Sequence, residues 1–233
     1  MLELKNFNNF ILKDISFILE KNENLLILGE NGAGKSTLAK VLSNLLPSSN
    51  LFFESKNIKD LSSYDRAKYI NYIPSRFEIF DEYLNVLEYL KLSIIEEKNI
   101  EDIEKIISLL KLEDLKFNSC VDLSSGEQQL LLLASALLHN AKITIFDELT
   151  ANLDLNRVKD VFDILNSSLL SQKIVITHNL DFAYALKDFK VLFLQKGSLK
   201  FFGSHSEFFI QENLNIFYSE NLKLLDSHLV LDL

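Results

Sequence analysis

The sequence predicts an α/β domain with a small antiparallel β subdomain at its N-terminus and a helical lobe inserted in its middle. Three observations carry this reading. An apolar run at residues 24–28 ends in a glycine-rich loop that opens into helical spacing. A second apolar run, at residues 143–146, ends in two adjacent carboxylates. Between them, residues 82–115 are rich in Leu, Ile, Glu and Lys, with apolar residues at three- and four-residue steps.

Each element follows in chain order. Residues 2–7 and 15–19 alternate apolar and polar in strand fashion, with Asp14 near the turn between them. The run at 24–28 is a buried strand, and residues 35–46 carry helix-like spacing stopped by Pro47. A further strand is expected at 51–53, a helix opening at 62–67, and a short strand at 70–73 before Pro74. In the lobe, Leu87, Leu90 and Ile94, then Ile103, Ile106, Ile107 and Leu110, mark helical faces. Its last helix starts after Ser124-Ser125-Gly126 and runs to residue 138. Residues 143–146 read as a buried strand, 155–170 as a helix, 173–177 as a strand and 180–186 as a helix. Residues 191–195 and 199–202 form a hairpin through Lys196-Gly197-Ser198, and the tail from His205 reads as mostly helical. The expected organisation is a core of residues 1–75 and 139–204, a helical lobe at 76–138 and a helical tail at 205–233.

Composition narrows the function. The chain has 233 residues, enough for one sizeable α/β domain, and 48% of them are hydrophobic, enough for a large core. A net charge of -9 argues against general nucleic-acid binding, which needs a basic face. Cys120 is the single cysteine, so no internal disulfide forms, and it reads as a packing thiol in a reducing compartment. The N-terminus lacks a basic start followed by a long apolar run, as a secretory signal would have. The longest apolar stretch, residues 130–138, is far short of the ~20 residues that span a bilayer. A soluble chain is expected, with any membrane role supplied by a partner.

The chemistry concentrates in two places. Gly29-Glu30-Asn31-Gly32-Ala33-Gly34-Lys35-Ser36-Thr37 fits the G-x-x-x-x-G-K-[ST] P-loop, with a strand before it and a helix after it. Glycines let phosphate oxygens reach the backbone N–H groups, and the helix N-terminus faces the anion. Lys35 supplies a point charge for the β- and γ-phosphates of ATP, and Ser36 a hydroxyl for Mg²⁺. At residues 143–148, an apolar strand delivers Asp147 and Glu148 to its C-terminal end, where α/β sheets place ligands. Asp147 is expected to hold Mg²⁺ through water and Glu148 to polarise the attacking water.

Three further segments carry a resemblance. Leu123-Ser124-Ser125-Gly126-Glu127-Gln128-Gln129 resembles the LSGGQ signature of ABC ATPases in its LSGGE-like form. Leu149-Thr150-Ala151-Asn152-Leu153-Asp154 is similar to the family's D-loop, and Ile176-Thr177-His178-Asn179 to its switch-histidine segment. The five elements stand in the family's order, and the resemblance covers about residues 1–205. It implies a P-loop NTPase of ABC type that works as a homodimer or pseudo-dimer packed head to tail. Ser124, Ser125, Gly126 and Glu127 of one copy would then cover the γ-phosphate held by the other. His178 would hydrogen-bond the γ-phosphate, and Asp154 would link the two sites. An aromatic residue near the N-terminus stacks on adenine in this family; Phe7 is the first choice and Phe10 the second. His139, His205 and His228 have no such support and read as structural or surface residues.

Departures from the family pattern are also legible. Ser75 stands after Tyr72-Ile73-Pro74 where the family usually carries a metal-ligating glutamine, so Ser75 is expected to reach Mg²⁺ only through a water. Ser125 replaces a signature glycine, Leu149 stands at a usual proline, and Gln129 and Ser135 stand where arginines are usual. The resemblance further implies a cytoplasmic ATPase subunit, peripheral on the inner face of the cell membrane. Separate permease subunits and, indirectly, a substrate-binding protein are the implied partners. Residues 61–74, with Arg66-Ala67-Lys68 ahead of Tyr72-Ile73-Pro74, and residues 207–217 after Gly203, resemble the iron-chelate and cobalamin uptake branch. Iron-siderophore, haem or cobalamin import is therefore expected. The alternatives are a zinc or manganese importer, an exporter, or a weakly active ATP-binding subunit.

Overall fold

The computed structural model describes residues 1–79, 81–218, 222–225 and 228–231. The chain opens with strands β1 (Leu2–Asn9) and β2 (Leu12–Leu19), paired antiparallel from Leu2↔Leu19 to Asn9↔Leu12. Their register shifts on either side of Phe7, which marks β1 as bulged. Strand β3 (Asn24–Gly29) follows, and Leu25, Leu26, Ile27 and Leu28 are all buried. Burial on both faces is what a central parallel strand requires. Helix α1 (Lys35–Leu42) ends earlier than its spacing predicts. Asn44 takes a left-handed φ of 58°, and the N–H groups of Ser43, Asn44 and Leu46 turn back onto carbonyls of the helix.

Next come β4 (Leu51–Phe53), β5 (Lys56–Asn57), α2 (Ser63–Tyr69) and β6 (Ile70–Ile73). Helices α3 (Val86–Leu92), α4 (Ile103–Leu109) and α5 (Ser125–His139) fill the predicted helical stretch. Strand β7 (Ile143–Asp147), helix α6 (Leu155–Asn166) and strand β8 (Gln172–Ile176) lead to α7 (Leu180–Ala185) and the hairpin β9 (Phe189–Gln195)/β10 (Ser198–Gly203). The tail begins with α8 (His205–Phe208) and α9 (Gln211–Tyr218) but is not helical throughout. It closes with β11 (Leu222–Leu225) and β12 (His228–Leu231), paired from Leu222↔Leu231 to Leu225↔His228. Two short apolar runs are too brief to nucleate helices and pair with each other instead. The side chain of His228 lies outside the described residues.

The chain forms two compact units, residues 1–60 with 174–233, and residues 61–173. In the first, the strands run in the order β5-β4-β1-β2-β10-β9-β3-β8. β3 pairs parallel with both β8 and β9, so its end points into a loop flanked by parallel neighbours. Helices α8 and α9 close this unit through rings: Phe193 meets Phe217 at 4.5 Å and Phe208 at 5.7 Å between centroids. In the second unit, β6 and β7 pair parallel, in register from Ile70↔Ile143 to Ile73↔Phe146. Helix α5 packs against α3, α4 and β6 and is buried almost all round, as its Leu-rich sequence demands.

Candidate functional site

In the first unit, β3 delivers the glycine loop. Gly29 has φ 146°, and a Cβ there would lie 2.1 Å from the Leu194 carbonyl oxygen of β9, so no other residue fits. Gly32 has φ 76° and nothing within 4 Å of an added Cβ, which leaves an open cradle above the backbone. Gly34 caps α1 without a side-chain hydrogen bond, so the first-turn N–H groups of that helix face outward, ready for an anion. Lys35 is only 8% exposed, and its Nζ donates to the carbonyls of Gly29 (2.8 Å) and Glu30 (3.0 Å). The ammonium thus sits folded over the loop. Asn31 and Ser36 are exposed, Thr37 is half-buried and Ala33 is buried.

The loop is braced from outside. Gly197 N–H donates to the Ala33 carbonyl at 3.1 Å, and Lys13 N–H donates to Gly197 at 2.8 Å. The side chain of Ile11 lies beside Gly34, within 3.2 Å of an added Cβ. The β1–β2 turn therefore stands next to the phosphate loop. Phe10 in that turn is 51% exposed, whereas Phe7 is 4% exposed and packed inward opposite Ile15. Burial removes Phe7 as a stacking platform; Phe10 has the accessible ring. His178 is exposed just past β8. Its neighbours are fixed: Thr177 Oγ1 accepts from Asn179 N–H at 3.0 Å, and Asn179 Oδ1 caps α7 through Phe182 N–H at 3.0 Å.

In the second unit, all five residues of β7 are buried, and Asp147 at its end is 3% exposed. Its Oδ2 accepts a hydrogen bond from Tyr72 Oη of β6 at 3.0 Å. Its Oδ1 is buried with no hydrogen-bond partner among the described residues. A buried, unpaired carboxylate oxygen is costly unless something cationic or a bound water meets it. Burial foremost, then the Asp147 charge and hydrogen bond, push the Tyr72 phenol far above its ordinary range, so it stays a donor. Glu148 is half-buried and left-handed, with φ 58°, a conformation that non-glycine residues keep chiefly where structure enforces it. Buried Leu149 packs behind it.

The segment at 123–129 caps α5. Ser124 Oγ donates to Glu127 Oε2 at 2.6 Å, and the Ser124 and Glu127 backbone N–H groups complete a reciprocal capping box. The Ser124 side chain first, then its backbone N–H, holds the Glu127 carboxyl below its usual range. Ser124 and Ser125 are exposed, and Gly126 is buried. A Cβ on Gly126 would come within 2.8 Å of Arg157 Nη1 and 3.5 Å of the Asn152 carbonyl oxygen. Asp154 caps α6, its Oδ1 accepting from Asn156 N–H (2.9 Å) and Arg157 N–H (3.0 Å). Ser75 is held by its carbonyl, which accepts from Gln129 Nε2 at 3.0 Å.

Tyr72, Arg157 and Gln129 are thus part of this neighbourhood although none of them was expected to have a role in the site. Their contacts join residues on different elements, and only strand register and helix packing bring them together. Cys120 is buried, and burial, then the Glu88 charge, push its thiol up to about 11, which suits an inert packing role. Among the described residues, no helix is long and apolar enough to cross a membrane.

A glycine loop at a strand-to-helix turn, a strand tipped with carboxylates and a capped signature helix define a P-loop nucleotide-binding protein. The profile of the ABC transporter family matches residues 12–151, more than half of the chain. The chain belongs to that family, and is one of its ATP-hydrolysing cassettes. It is 34% identical over 199 residues to an uncharacterised ABC transporter ATP-binding protein of Methanocaldococcus jannaschii, covering 80% of this chain and 77% of the other. A zinc import ATP-binding protein of Buchnera aphidicola is 32% identical, with 82% and 81% covered. A Helicobacter pylori protein described as a probable iron chelatin transport ATP-binding protein is 31% identical, with 77% of each covered. The fold matches an inward-facing metal-chelate type ABC transporter with TM-score 0.78 at 24% identity, over 100% of this chain and 97% of the other. It also matches a dimeric ATP-binding cassette bound to ADP and phosphate, TM-score 0.76 at 21% identity, over 88% and 99%.

Proposed function

We propose that this chain powers an ABC importer, working as a dimer with separate permease subunits on the inner face of the cell membrane, and that the cargo is a metal chelate such as an iron-siderophore, haem or cobalamin. The observation that carries the ATPase chemistry is Asp147, whose buried Oδ1, at the end of a fully buried strand, has no hydrogen-bond partner among the described residues. That donor set suits a hard cation bearing water. Ser36 directly, and Asp147 and Ser75 through water, would hold Mg²⁺. When bound, Mg²⁺ neutralises charge on the phosphate oxygens.

The chain's own groups do the rest. The N–H groups of residues 29–37 and the Lys35 ammonium hold the phosphates, with Lys35 moving from its carbonyl partners to the anion. Phe10, not Phe7, offers a face for adenine. Glu148 accepts the proton of the attacking water, and His178 hydrogen-bonds the γ-phosphate. Ser124, Ser125, Gly126 and Glu127 of a second copy cover that phosphate with the N-terminus of α5. Asp154, which caps α6, would link the two sites across the dimer. Loss of the phosphate contact then loosens the dimer, and the helical lobe passes the motion to the permease.

Support for the cargo is the Helicobacter pylori relative and the branch-like stretches at 61–74 and 207–217. The Buchnera aphidicola relative favours zinc import as a second reading. ATPase measurements with a Glu148→Gln variant test the motor. Turnover in the parent, lost in the variant with an ATP-stabilised dimer, is expected; equal turnover in both proteins would overturn the assignment. Uptake of iron chelates against zinc in cells lacking the chain separates the cargoes.

A further inference from the structure

We propose that Tyr72 is a positioning residue that locks the Asp147 carboxylate in the orientation that receives Mg²⁺. The proposal rests on the ATPase reading above and adds to it a residue outside the P-loop, the signature and the carboxylate pair. Tyr72 lies on β6 and Asp147 ends β7, two strands in unbroken parallel register through Tyr72↔Ile145 and Ile73↔Phe146. The phenol is thereby carried on a paired strand and not on a loop. It spends its one donor on Asp147 Oδ2, at 3.0 Å. The carboxylate is 3% exposed, so water cannot readily replace that donor.

The two oxygens are therefore unequal. Oδ2 is tied to the phenol, and Oδ1 is buried without a hydrogen-bond partner among the described residues. A carboxylate free at both oxygens can rotate about its terminal torsion, which is broad and roughly two-fold. With Oδ2 held, rotation is stopped and Oδ1 presents its lone pairs in one direction. A donor behind a ligating carboxylate is a common way of fixing the ligand and tuning its affinity. A purely structural hydrogen bond would leave the metal response untouched once the protein folds, and this distinction sets the test.

Binding of AMP-PNP, an ATP analogue that is not hydrolysed, is measured on the full chain by titration calorimetry at a series of free Mg²⁺ concentrations and in EDTA. Tyr72→Phe removes the hydroxyl and keeps the ring. The expected result is a Mg²⁺ half-saturation raised by roughly tenfold or more, the usual cost of losing a group behind a metal ligand, with binding in EDTA unchanged. Steady-state ATPase should show the same split, with turnover restored at high Mg²⁺. A half-saturation equal to or lower than the parent's, with binding in EDTA intact, overturns the role. If Tyr72→Phe also fails to bind in EDTA, Tyr72→Leu removes the same hydroxyl and is read by the same two outcomes. A parent that binds AMP-PNP no better with Mg²⁺ than with EDTA overturns the ATPase reading and the role of Tyr72 together. A parent that responds to Mg²⁺ beside an unaltered variant overturns the role of Tyr72 alone.

Discussion

At residues 29–37 the chain presents its backbone, whereas at residues 143–154 it presents side chains. The first region consists of glycines at φ 146°, 76° and 103°, an uncapped helix start and a lysine folded over carbonyls. The second consists of a buried aspartate tied to a tyrosine, a left-handed glutamate and an aspartate that caps α6. A site made of N–H groups is defined by what must be missing, so an added atom damages it through sterics. A site made of carboxylates is defined by what must be present, so a change of one atom damages the chemistry and leaves the fold standing.

The largest expected effect is chemical and lies in the second region. Glu148→Gln keeps the shape and removes the proton acceptor, so the ATPase rate should fall by roughly 10²–10⁴-fold with nucleotide binding and melting temperature retained. A variant that instead loses binding would place Glu148 in the binding surface and blur the contrast. In the first region the damage should be steric. Gly29→Ala drives a methyl into the Leu194 carbonyl oxygen, at 2.1 Å, and should lower stability by about 3–5 kcal/mol. Gly32→Ala meets no neighbour within 4 Å and should cost only about 1–2 kcal/mol for its left-handed backbone. Its methyl stands in the open cradle, however, and ATP affinity should fall about tenfold, the equivalent of one charge-assisted hydrogen bond. Urea melts beside ATP titrations of both variants check the pair. Equal destabilisation by the two would mean that backbone conformation, not the Leu194 carbonyl, dictates Gly29.

Smaller effects should come from the helix caps, where the regions differ again. Ser124→Ala removes a hydroxyl acceptor and breaks a capping box, and Asp154→Ala removes an acceptor of two N–H groups. Each should lower stability by about 1–2 kcal/mol, whereas the start of α1 has no side-chain cap hydrogen bond to lose. Denaturant melts measure the cost, and ATP-driven dimerisation of the same proteins reports the functional share.

These differences explain what was legible in the sequence. The loop at 29–37 and the pair Asp147-Glu148 could be read because their chemistry demands residues a fixed few positions apart. The capping box of Ser124 and Glu127 is equally local. Which N-terminal aromatic ring is exposed is harder to read, since Phe7 and Phe10 stand three residues apart in one strand-turn segment. Alternation alone does not say which faces out, and the bulge around Phe7 decides it. The sequence marks Tyr72 as a strand residue in a family-like stretch but not as a partner of Asp147, because that bond spans the chain from 72 to 147 and depends on the register of β6 with β7. The tail read as helix because its apolar residues cluster. Pairing of β11 with β12 depends on two runs too short for periodicity to distinguish.

The smallest expected effect lies away from both regions and sets the background against which they are measured. His139 ends α5 and donates from Nε2 to the Ala67 carbonyl at 2.7 Å. Burial holds its pKa below the ordinary 6.5, against the pull of that carbonyl. His205, buried between Tyr184 and Phe209, is lowered by burial in the same sense. A histidine with a depressed folded pKa binds its proton more readily once unfolded, so stability is full above that ordinary value and declines as pH falls below it. Asp65 and Glu96 line the recess beside His139, with Lys68 and Lys142. Melting temperature measured from about pH 7.5 down to about pH 5.5 should therefore fall gently. His139→Gln, which keeps an N–H for Ala67, should flatten part of the slope and leave the share of His205. A slope unchanged by His139→Gln would show that Asp65 and Glu96 stabilise the imidazolium enough to cancel its burial.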